Sequence, residues 1–326
     1  MPVLEYKSCW LPDGNFKTVA AHIVIAIHMD EAELELFREA GGMASRVREQ
    51  SKRLIMVGES LLDVAETIEQ MIGEEGGRPA FPVNISINDI AAHYTPEFES
   101  TASLDENDVV KIDLGIEVSG ALSDTAYTVD LSEKNGVLVK AADEALENAI
   151  KTVRAGVPVA AVSARIEETI TGYGFRPIAN LSGHMIKSNE LHAGVEIPNV
   201  KTNEPYVLQE GDIFAIEPFA TAGSGLVEDL EQVEIFSIYS PAGVRMRQSR
   251  KIVEFVVKNY RMLPFAERWV RKEFPSKLLV SAALRELLEN HFIRGYPVLR
   301  EAGRGLVSQA EHTVLVTADG CDVLTR

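Results

Sequence analysis

The sequence predicts a mixed α/β fold made of two similar halves, and two observations support this. Segments with helical periodicity alternate with short runs of β-branched and aromatic residues, as in proteins that pack helices against sheets. The chain also resembles itself when it is shifted by 98 positions. Identical residues then coincide at equivalent points of the two halves, namely Gly58 with Gly156, Val64 with Val162, and Arg78-Pro79 with Arg176-Pro177.

Each half of this repeat contains a helix, a strand, a loop with a histidine and a strand that ends in a carboxylate. At shifts of 99 and 104, His93 coincides with His192 and Asp113 coincides with Glu217. The growing shift indicates small insertions in the second half. Two such halves facing each other would bring both carboxylates to one axis, with the histidines beside them. Chance similarity is the alternative, and the constant order of the matches argues against it.

The first elements follow from local signals. Residues 29–55 carry acidic residues first and basic residues later, which suits the dipole of a helix. A second helix begins after Ser60, with Asp63 as its capping-box partner, and ends at Gly76-Gly77. Residues 78–88 then form a strand.

The next elements alternate between strands and helices. The segment KIDLGIEVSGALSDTAYTVD predicts a hairpin, because β-branched residues flank a turn at Ser119-Gly120. Helices are predicted over 136–154 and 159–172, and the first of them is stopped by Gly156. The segments FRPIANLSGH and YVLQEGDIFAIEPFA are typical of strands.

Two regions stand apart from the predicted catalytic domain of residues 29–225 and 296–326. Residues 1–28 lack a helical period, and we predict an extension that is disordered or a mis-assigned start, with Met29 as the true first residue. Residues 226–295 interrupt the second half with helical patterns at about 247–260, 264–273 and 276–291. They indicate a helical insert resembling a winged helix.

The insert has a different charge from the rest of the chain. It contains 12 Lys and Arg against 9 Asp and Glu, whereas the whole chain has a net charge of −17. This excess either marks a transient contact with an acidic partner such as the ribosome, or belongs to a structural cap with a solvated face. The small size of the excess favours the cap.

The composition excludes several classes of protein. The chain is 46% hydrophobic and 25% charged, which is ordinary for a globular protein. Its acidity argues against DNA or other nucleic acid as a partner. Cys9 and Cys321 lie near opposite ends and lack the spacing of a disulfide framework or a metal site. No apolar run approaches the roughly 20 residues that span a bilayer, so we expect a cytoplasmic protein without membrane contact.

The predicted hairpin places two aspartates side by side. With a two-residue turn at Ser119-Gly120, Asp113 lies opposite Ala126 and Asp124 lies opposite Gly115. The aspartates are then diagonal neighbours on one face, roughly 7–8 Å apart at Cα. Two carboxylates on an apolar hairpin repel each other and lose hydration, and a bound cation resolves that conflict. The alternative is that one aspartate lies at an exposed strand end.

Three further side chains complete a candidate metal site. His184 follows a strand in NLSGH, Glu217 lies in the apolar segment DIFAIEPF, and Glu311 begins the late strand EHTVLV. Taken singly, each has an ordinary alternative as a loop histidine, an ion-paired glutamate or an edge-strand charge. Together with the aspartates they offer four carboxylates and one histidine, which suits two divalent ions that share bridging carboxylates.

The chemistry of such a site matches an aminopeptidase. Two ions lower the pKa of a shared water, polarise a carbonyl group and hold a free amine. The patterns HExxH, GxSxG and the P-loop do not occur in the sequence. Single-zinc, serine and phosphate-binding mechanisms are therefore less favoured.

Several motifs resemble those of the type 2 methionine aminopeptidases in their short archaeal form: FPVNISINDIAAHYTP, KIDLGIEVSGALSDTA, NLSGHMIKSNELHAG, FAIEPFATAGSG, LPFAERW and AEHTVLV. The resemblance runs from about Met29 to the C-terminus. It implies the pita-bread fold, with two pseudo-symmetric halves around a dinuclear metal centre. It also implies a monomer that removes the N-terminal methionine of nascent polypeptides when the second residue is small, using two ions of Co, Mn, Fe or Zn.

The resemblance further implies roles for individual residues. The metal ligands would be Asp113, Asp124, His184, Glu217 and Glu311. Among them, Asp124 and Glu311 would bridge the ions and Glu217 would also act as general base.

Other residues would contact the peptide. By the same resemblance, His93 would orient the substrate backbone or assist the leaving amine. His192 would hydrogen-bond the scissile carbonyl group, where negative charge develops. The methionine pocket would be formed by Phe81, Leu191, Phe219 and Tyr296, each of which has core packing as its alternative.

Two other functions remain open at this point. One is another pita-bread peptidase, such as a prolidase or an aminopeptidase P, although those enzymes usually carry a large N-terminal domain. The other is a non-catalytic binding protein of the same fold that has lost its metals. All five ligand positions are filled here, which favours the peptidase.

Overall fold

The computed structural model describes residues 31–240 and 243–326. The predicted extension at residues 1–28, the proposed start at Met29 and Cys9 lie outside the described residues. Seven α-helices occur in the described ranges: α1 (Glu31–Ser51), α2 (Leu61–Glu74), α3 (Gly136–Ile150), α4 (Val159–Gly172), α5 (Arg247–Tyr260), α6 (Glu267–Glu273) and α7 (Lys277–Glu289). No helix in this part of the chain is long and apolar enough to cross a membrane.

The strands of the described residues are mostly short. The first eight are β1 (Arg78–Pro79), β2 (Asn84–Ile87), β3 (Ile90–Ala92), β4 (Val109–Val118), β5 (Ala121–Asp130), β6 (Arg176–Pro177), β7 (Ser182–Ile186) and β8 (Glu196–Pro198). The others are β9 (Ile213–Ile216), β10 (Phe219–Thr221), β11 (Val227–Ile238), β12 (Phe265–Ala266), β13 (Ile293–Glu301), β14 (Val307–Gln309), β15 (His312–Val316) and β16 (Cys321–Val323).

The first half packs α1 and α2 against the β4–β5 hairpin and its neighbours β1 and β2. Helix α2 begins as the sequence predicts, because the Ser60 side chain accepts a hydrogen bond from the Asp63 amide and caps the first turn. Its buried residues Val64, Ile68 and Ile72 recur every four positions. They face the sheet and hold the helix on it.

The second half repeats this arrangement with α3 and α4 packed over a sheet of order β16-β15-β9-β7-β8. Helices α2 and α4 begin and end 98 positions apart, as the internal repeat predicts. Gly58 and Gly156, which precede them, have φ angles of +88° and +83°. Their amides donate to the carbonyl groups of Leu104 and Leu208 at 2.8 and 2.9 Å. The predicted two-half fold is therefore confirmed by equivalent hydrogen bonds.

The two halves meet where β5 contacts Glu311 and the start of β15, a strand that otherwise lies between β9 and β16. Strand β15 pairs with β9 of the second half, with Thr313 opposite Ala215. On its other side, the Glu311 amide donates to the Ala126 carbonyl group at 3.0 Å. Thr313 Oγ1 also accepts from the Asp124 amide at 2.8 Å. We call this contact between β5 and residues 311–313 the seam.

The segment predicted as a helical insert contains the three expected helices α5, α6 and α7 but is not purely helical. Its first part is the twelve-residue strand β11, which pairs with β13 and β12. The charged residues Glu228, Asp229 and Glu231 hid this strand, because they interrupt its apolar pattern. The segment therefore contains the predicted helices together with strands that its sequence did not indicate.

Candidate metal centre

The structure brings the predicted site residues together at the seam. One cavity of about 220 Å³ lies there. Its wall contains every candidate residue singled out in the sequence: Phe81, His93, Asp113, Asp124, His184, Leu191, His192, Glu217, Phe219, Tyr296 and Glu311. These residues come from both halves and from the late part of the chain, so only the folded protein creates the site.

The β4–β5 hairpin positions the two aspartates. Asp113 lies opposite Ala126 and Asp124 lies opposite Gly115, in the register that the turn predicted. Ser119 and Gly120 form that turn with φ angles of +52° and +100°, and positive angles at both central residues suit the twist of a tight hairpin. The predicted neighbour relation between the aspartates is therefore confirmed.

The histidine and the two glutamates approach this hairpin from other strands. His184 on β7 places Nε2 3.5 Å from Asp124 Oδ2 and 3.6 Å from Glu217 Oε1. Glu217 directly follows β9, and Glu311 lies between β14 and β15. Asp124, His184 and Glu311 each present one ligand atom within 4.8 Å of the others. A divalent cation could therefore touch all three.

The carboxylates lie in an unfavourable electrostatic environment. Burial raises the pKa of Asp113, Glu217 and Glu311 well above their usual values. The negative charge of Asp124 is the second cause in all three cases. The charge of Asp124 thus raises the pKa of each of the other three carboxyl groups.

Orphaned polar atoms indicate what the site is built to hold. Asp113 Oδ1, Asp124 Oδ1 and His184 Nδ1 are buried and have no hydrogen-bond partner among the described residues. Such atoms are costly unless they are satisfied by a ligand. Carboxylate oxygens and imidazole nitrogens are ligands that divalent ions accept. The donor set therefore fits a divalent metal site.

Two histidines flank the carboxylates without taking part in their cluster. His93 has a positive φ of +64°, and its Nδ1 lies 3.1 Å from the Pro297 carbonyl oxygen. Because a carbonyl group only accepts, Nδ1 carries the hydrogen and Nε2 is left as an acceptor. Burial lowers the pKa of His93, which favours the neutral ring.

The second histidine, His192, lies beside His184. The ring centroids of His184 and His192 are 4.2 Å apart. Burial, followed by the charge of His184, lowers the pKa of His192 to about 3. His192 is therefore neutral near pH 7.

The apolar wall of the cavity is fixed by close packing. Phe81 and Phe219 are 6% and 1% exposed. A Cβ atom at Gly115 would lie 2.4 Å from Phe81 Cε1, so glycine on β4 is what admits the ring. Tyr296 stands edge-on to His93, with ring centroids 5.7 Å apart. Apolar and aromatic side chains therefore lie next to the carboxylates in the same cavity.

Several residues of the site were missed in the sequence. Asn84 lines the cavity and lies opposite Asp113 in the sheet. Gln309 Nε2 donates to Glu311 Oε2 at 3.3 Å. Thr313 bonds the backbone of Asp124. Gln309 and Thr313 lie two positions on either side of Glu311, and strand alternation around that residue was the signal that could have found them.

Comparison with known proteins agrees with this geometry. The sequence profile of metallopeptidase family M24 matches residues 35–318. A methionine aminopeptidase of Methanocaldococcus jannaschii is 46% identical over 288 residues, which are 88% of this chain and 97% of the relative. One of Thermococcus kodakarensis is 48% identical over 298 residues, which are 91% of this chain and 100% of the relative.

Solved structures show the same fold at lower identity. The methionine aminopeptidase of Thermotoga maritima has a TM-score of 0.68 and 22% identity, with 92% of this chain and 98% of that chain covered. The prolidase of Pyrococcus furiosus has a TM-score of 0.59 and 18% identity, with 92% and 65% covered. These neighbours support the pita-bread architecture. With most of its length matched and its acidic and histidine side chains gathered at the seam, the chain belongs to metallopeptidase family M24.

Proposed function

We propose that this protein removes the N-terminal methionine of nascent polypeptides whose second residue is small. The convergence of four carboxylates and one histidine in a buried cavity carries the proposal. The curated relatives that match nearly the whole of their own length are named methionine aminopeptidases, which supports methionine as the residue released.

The proposed centre holds two divalent ions on Asp113, Asp124, His184, Glu217 and Glu311. The family resemblance implies that Asp124 and Glu311 would be the ligands shared by the two ions, and their ligand atoms lie within 4.8 Å of each other. The ions would activate a water molecule and polarise the first carbonyl group of the peptide. Co, Mn, Fe and Zn all accept this mixture of oxygen and nitrogen ligands.

Around the ions, the chain's own groups bind and orient the peptide. Glu217 accepts the proton of the attacking water in this proposal. His93 Nε2 accepts a hydrogen bond from the peptide nitrogen, because Nδ1 is already used by Pro297. His192 donates to the scissile carbonyl oxygen, where charge develops in the transition state.

The methionine side chain is assigned to the apolar wall formed by Phe81, Leu191, Phe219 and Tyr296. All four residues line the cavity, and the first three are buried. An unbranched thioether fits such a wall well, because it adapts to irregular apolar space and contacts aromatic rings.

The proposal also concerns domains and partners. We treat residues 226–295 as an insert on a catalytic domain of residues 29–225 and 296–326, and its separate apolar core of Phe236, Ile252 and Trp269 supports this. The substrate would be met in the cytoplasm, by a monomer. A transient ribosome contact of the insert is a further and separate proposal.

A release assay tests the proposed function. Metal-free protein is supplied with Mn, Fe, Co or Zn, and free methionine is measured from Met-Ala-Ser and from Met-Lys-Ser. We expect release from the first peptide only, and its loss in Glu217→Gln and Asp113→Asn. Cleavage of Ala-Pro with no methionine release would instead assign a prolidase activity.

A further inference from the structure

The inserted segment is connected to the site by a buried arginine. Arg268 on α6 is 1% exposed. Its Nη1 donates to Thr95 Oγ1 at 2.7 Å, and its Nη2 donates to Glu69 Oε1 on α2. A single side chain of the insert thus joins the first half of the protein at two points.

Thr95 connects Arg268 to the segment that forms the cavity wall. Its hydroxyl group is fully buried and donates to the Val83 carbonyl oxygen at 2.7 Å. The neighbouring Ile85 amide donates to the Tyr94 carbonyl oxygen at 2.8 Å. The segment that follows His93 is therefore fastened to the start of β2, which carries Asn84.

Glu69 provides the counter-charge for the buried Arg268. Its Oε2 accepts from Trp269 Nε1 at 2.9 Å, and its Oε1 also accepts from the Val83 amide at 3.3 Å. A buried charge without such a partner would be strongly destabilising. The ion pair therefore holds the Arg268 guanidinium in place above Thr95.

The position of His93 needs this support. Its φ of +64° is unusual for a residue with a side chain, and strained backbone persists only where the surroundings hold it. The Nδ1 contact with Pro297 fixes the ring from one side. The contact of Thr95 with Val83 fixes the backbone from the other side, two residues along the chain.

We propose that Arg268 and Thr95 are positioning residues that hold His93 and Asn84 at the cavity, so that the inserted segment sets the geometry of the site. The inference rests on the proposed function, in which His93 contacts the peptide. A displacement of about 1 Å in such a group lowers turnover by up to about a hundredfold. Arg268 and Thr95 do not line the cavity, and their effect passes through the two residues that do.

Thr95→Val is the first test, because it keeps the branched shape and removes the hydroxyl group. We expect kcat for Met-Ala-Ser to fall about ten- to hundredfold with KM changed less than about threefold. Thr95→Ser keeps the hydroxyl group and should restore kcat. The matched control is Thr221→Val, since Thr221 is equally buried and donates to the Leu306 carbonyl oxygen at 3.0 Å but does not line the cavity.

The arginine is tested together with its partner. Arg268→Met alone would leave the buried Glu69 without a counter-charge. The test therefore uses a double variant that combines Arg268→Met with Glu69→Gln. We expect this double variant to fold and to reproduce the kcat loss of Thr95→Val. Combining it with Thr95→Val should add no further loss, because both remove the same support. Additive losses would overturn the connection.

A spectroscopic measurement separates this inference from the proposed function. In metal-free protein, the histidine ring signals are recorded by NMR, and the His93 signal is assigned by its loss in His93→Gln. We expect Thr95→Val to shift the His93 signal and Thr221→Val to leave it unchanged. If no metal gives methionine release in the wild-type protein, the proposed function fails. The NMR comparison of Thr95→Val with Thr221→Val still tests the inference in that case. An unshifted His93 signal in Thr95→Val, or equal kcat in Thr95→Val and Thr221→Val, would refute it.

Discussion

Replacing Asp124 by asparagine is expected to stabilise the metal-free protein and to abolish its metal binding. Asp124 is the charge that, after burial, raises the pKa of Asp113, Glu217 and Glu311. Without a cation, the folded protein must either keep these carboxyls close together as anions or bind protons. Asparagine keeps the shape of the side chain and removes the shared charge.

The size of the effect follows from the distances. Ligand atoms of Asp124 and Glu311 lie within 4.8 Å, and two unit charges at that separation repel by about 3 kcal/mol at an effective dielectric constant of about 20. His184 Nε2 lies 3.5 Å from Asp124 and 3.6 Å from Glu217, so these carboxylates are within about 7 Å and repel by about 2 kcal/mol more. Proton binding relieves part of this, so we expect a gain of about 1–2 kcal/mol in the free energy of unfolding.

The pH dependence has a definite sign. The folded pKa values of Asp113, Glu217 and Glu311 lie above the ordinary values of 3.8 and 4.5. The folded state therefore binds more protons than the unfolded state above that range, and stability falls as pH rises. Metal-free wild-type protein should lose more stability between pH 5 and pH 8 than Asp124→Asn does.

Thermal unfolding of metal-free protein is the assay. For a chain of 326 residues, a gain of this size corresponds to a rise in Tm of about 1.5–3 °C. Added Mn or Co at 100 times Kd should increase the free energy of unfolding of the wild-type protein by about 2.7 kcal/mol and so raise its Tm. The Tm of Asp124→Asn should not change. Asp319→Asn, at an exposed position, is the control. A lower Tm for metal-free Asp124→Asn at pH 8 would refute the reasoning.

Three further outcomes are expected. His192→Ala should lower kcat by about a hundredfold with little change in KM, because the hydrogen bond is made in the transition state; an equal rise in KM would contradict this. Gly183→Ala should cost about 1–3 kcal/mol of stability and weaken metal binding, because its Cβ would lie 2.3 Å from a carbonyl oxygen of β9. Gly136→Ala is the control and should have neither effect, because a Cβ there meets no described atom within 4 Å. Burial alone would raise the pKa of Glu301, but hydrogen bonds from the Ser224 hydroxyl group and from backbone amides lower it. The contribution of Glu301 to folding stability is therefore present above its ordinary pKa of 4.5 and is lost as pH falls. Glu301→Gln should therefore cost about 1.5–3 kcal/mol in urea unfolding at pH 7 and much less at pH 3, and an equal cost at both pH values would contradict this assignment.

Local signals were enough to predict the elements that carry the proposed metal ligands. The turn at Ser119-Gly120 fixes the hairpin register, and the register fixes the relation of Asp113 to Asp124. Helix α2 was predictable because its cap and its apolar period lie within a few residues of one another. The repeat predicted the second half because the same short-range pattern recurs.

Contacts between distant residues were not predictable in this way. Arg268 and Glu69 are 199 positions apart, and each has the ordinary pattern of a charged helix residue. Strand β11 was missed because its charged residues are tolerated where it lies partly exposed against β13. Only the folded arrangement shows which charges are buried and paired.

The seam shows how the fold itself prepares the metal centre, and this gives a last prediction. Thr313 Oγ1 accepts from the Asp124 amide at 2.8 Å and donates to the Asp124 carbonyl oxygen at 2.7 Å. The same residue lies opposite Ala215 in the sheet of the second half. One hydroxyl group therefore connects Asp124, a proposed metal ligand of the first half, to the strand that follows Glu311.

Thr313→Val keeps the branched shape and removes both hydrogen bonds. The buried amide of Asp124 is then left without a partner, which costs about 1–3 kcal/mol of stability. Because Asp124 and Glu311 are held on the two sides of the seam, we also expect metal affinity to fall about tenfold, as when supports of metal ligands are removed. Calorimetric titration of Mn into metal-free protein measures this, with Thr221→Val as the control. A matching loss of affinity in the control would mean that general destabilisation, and not the seam, sets the metal centre; unchanged affinity in Thr313→Val would show that the ligands hold their own geometry.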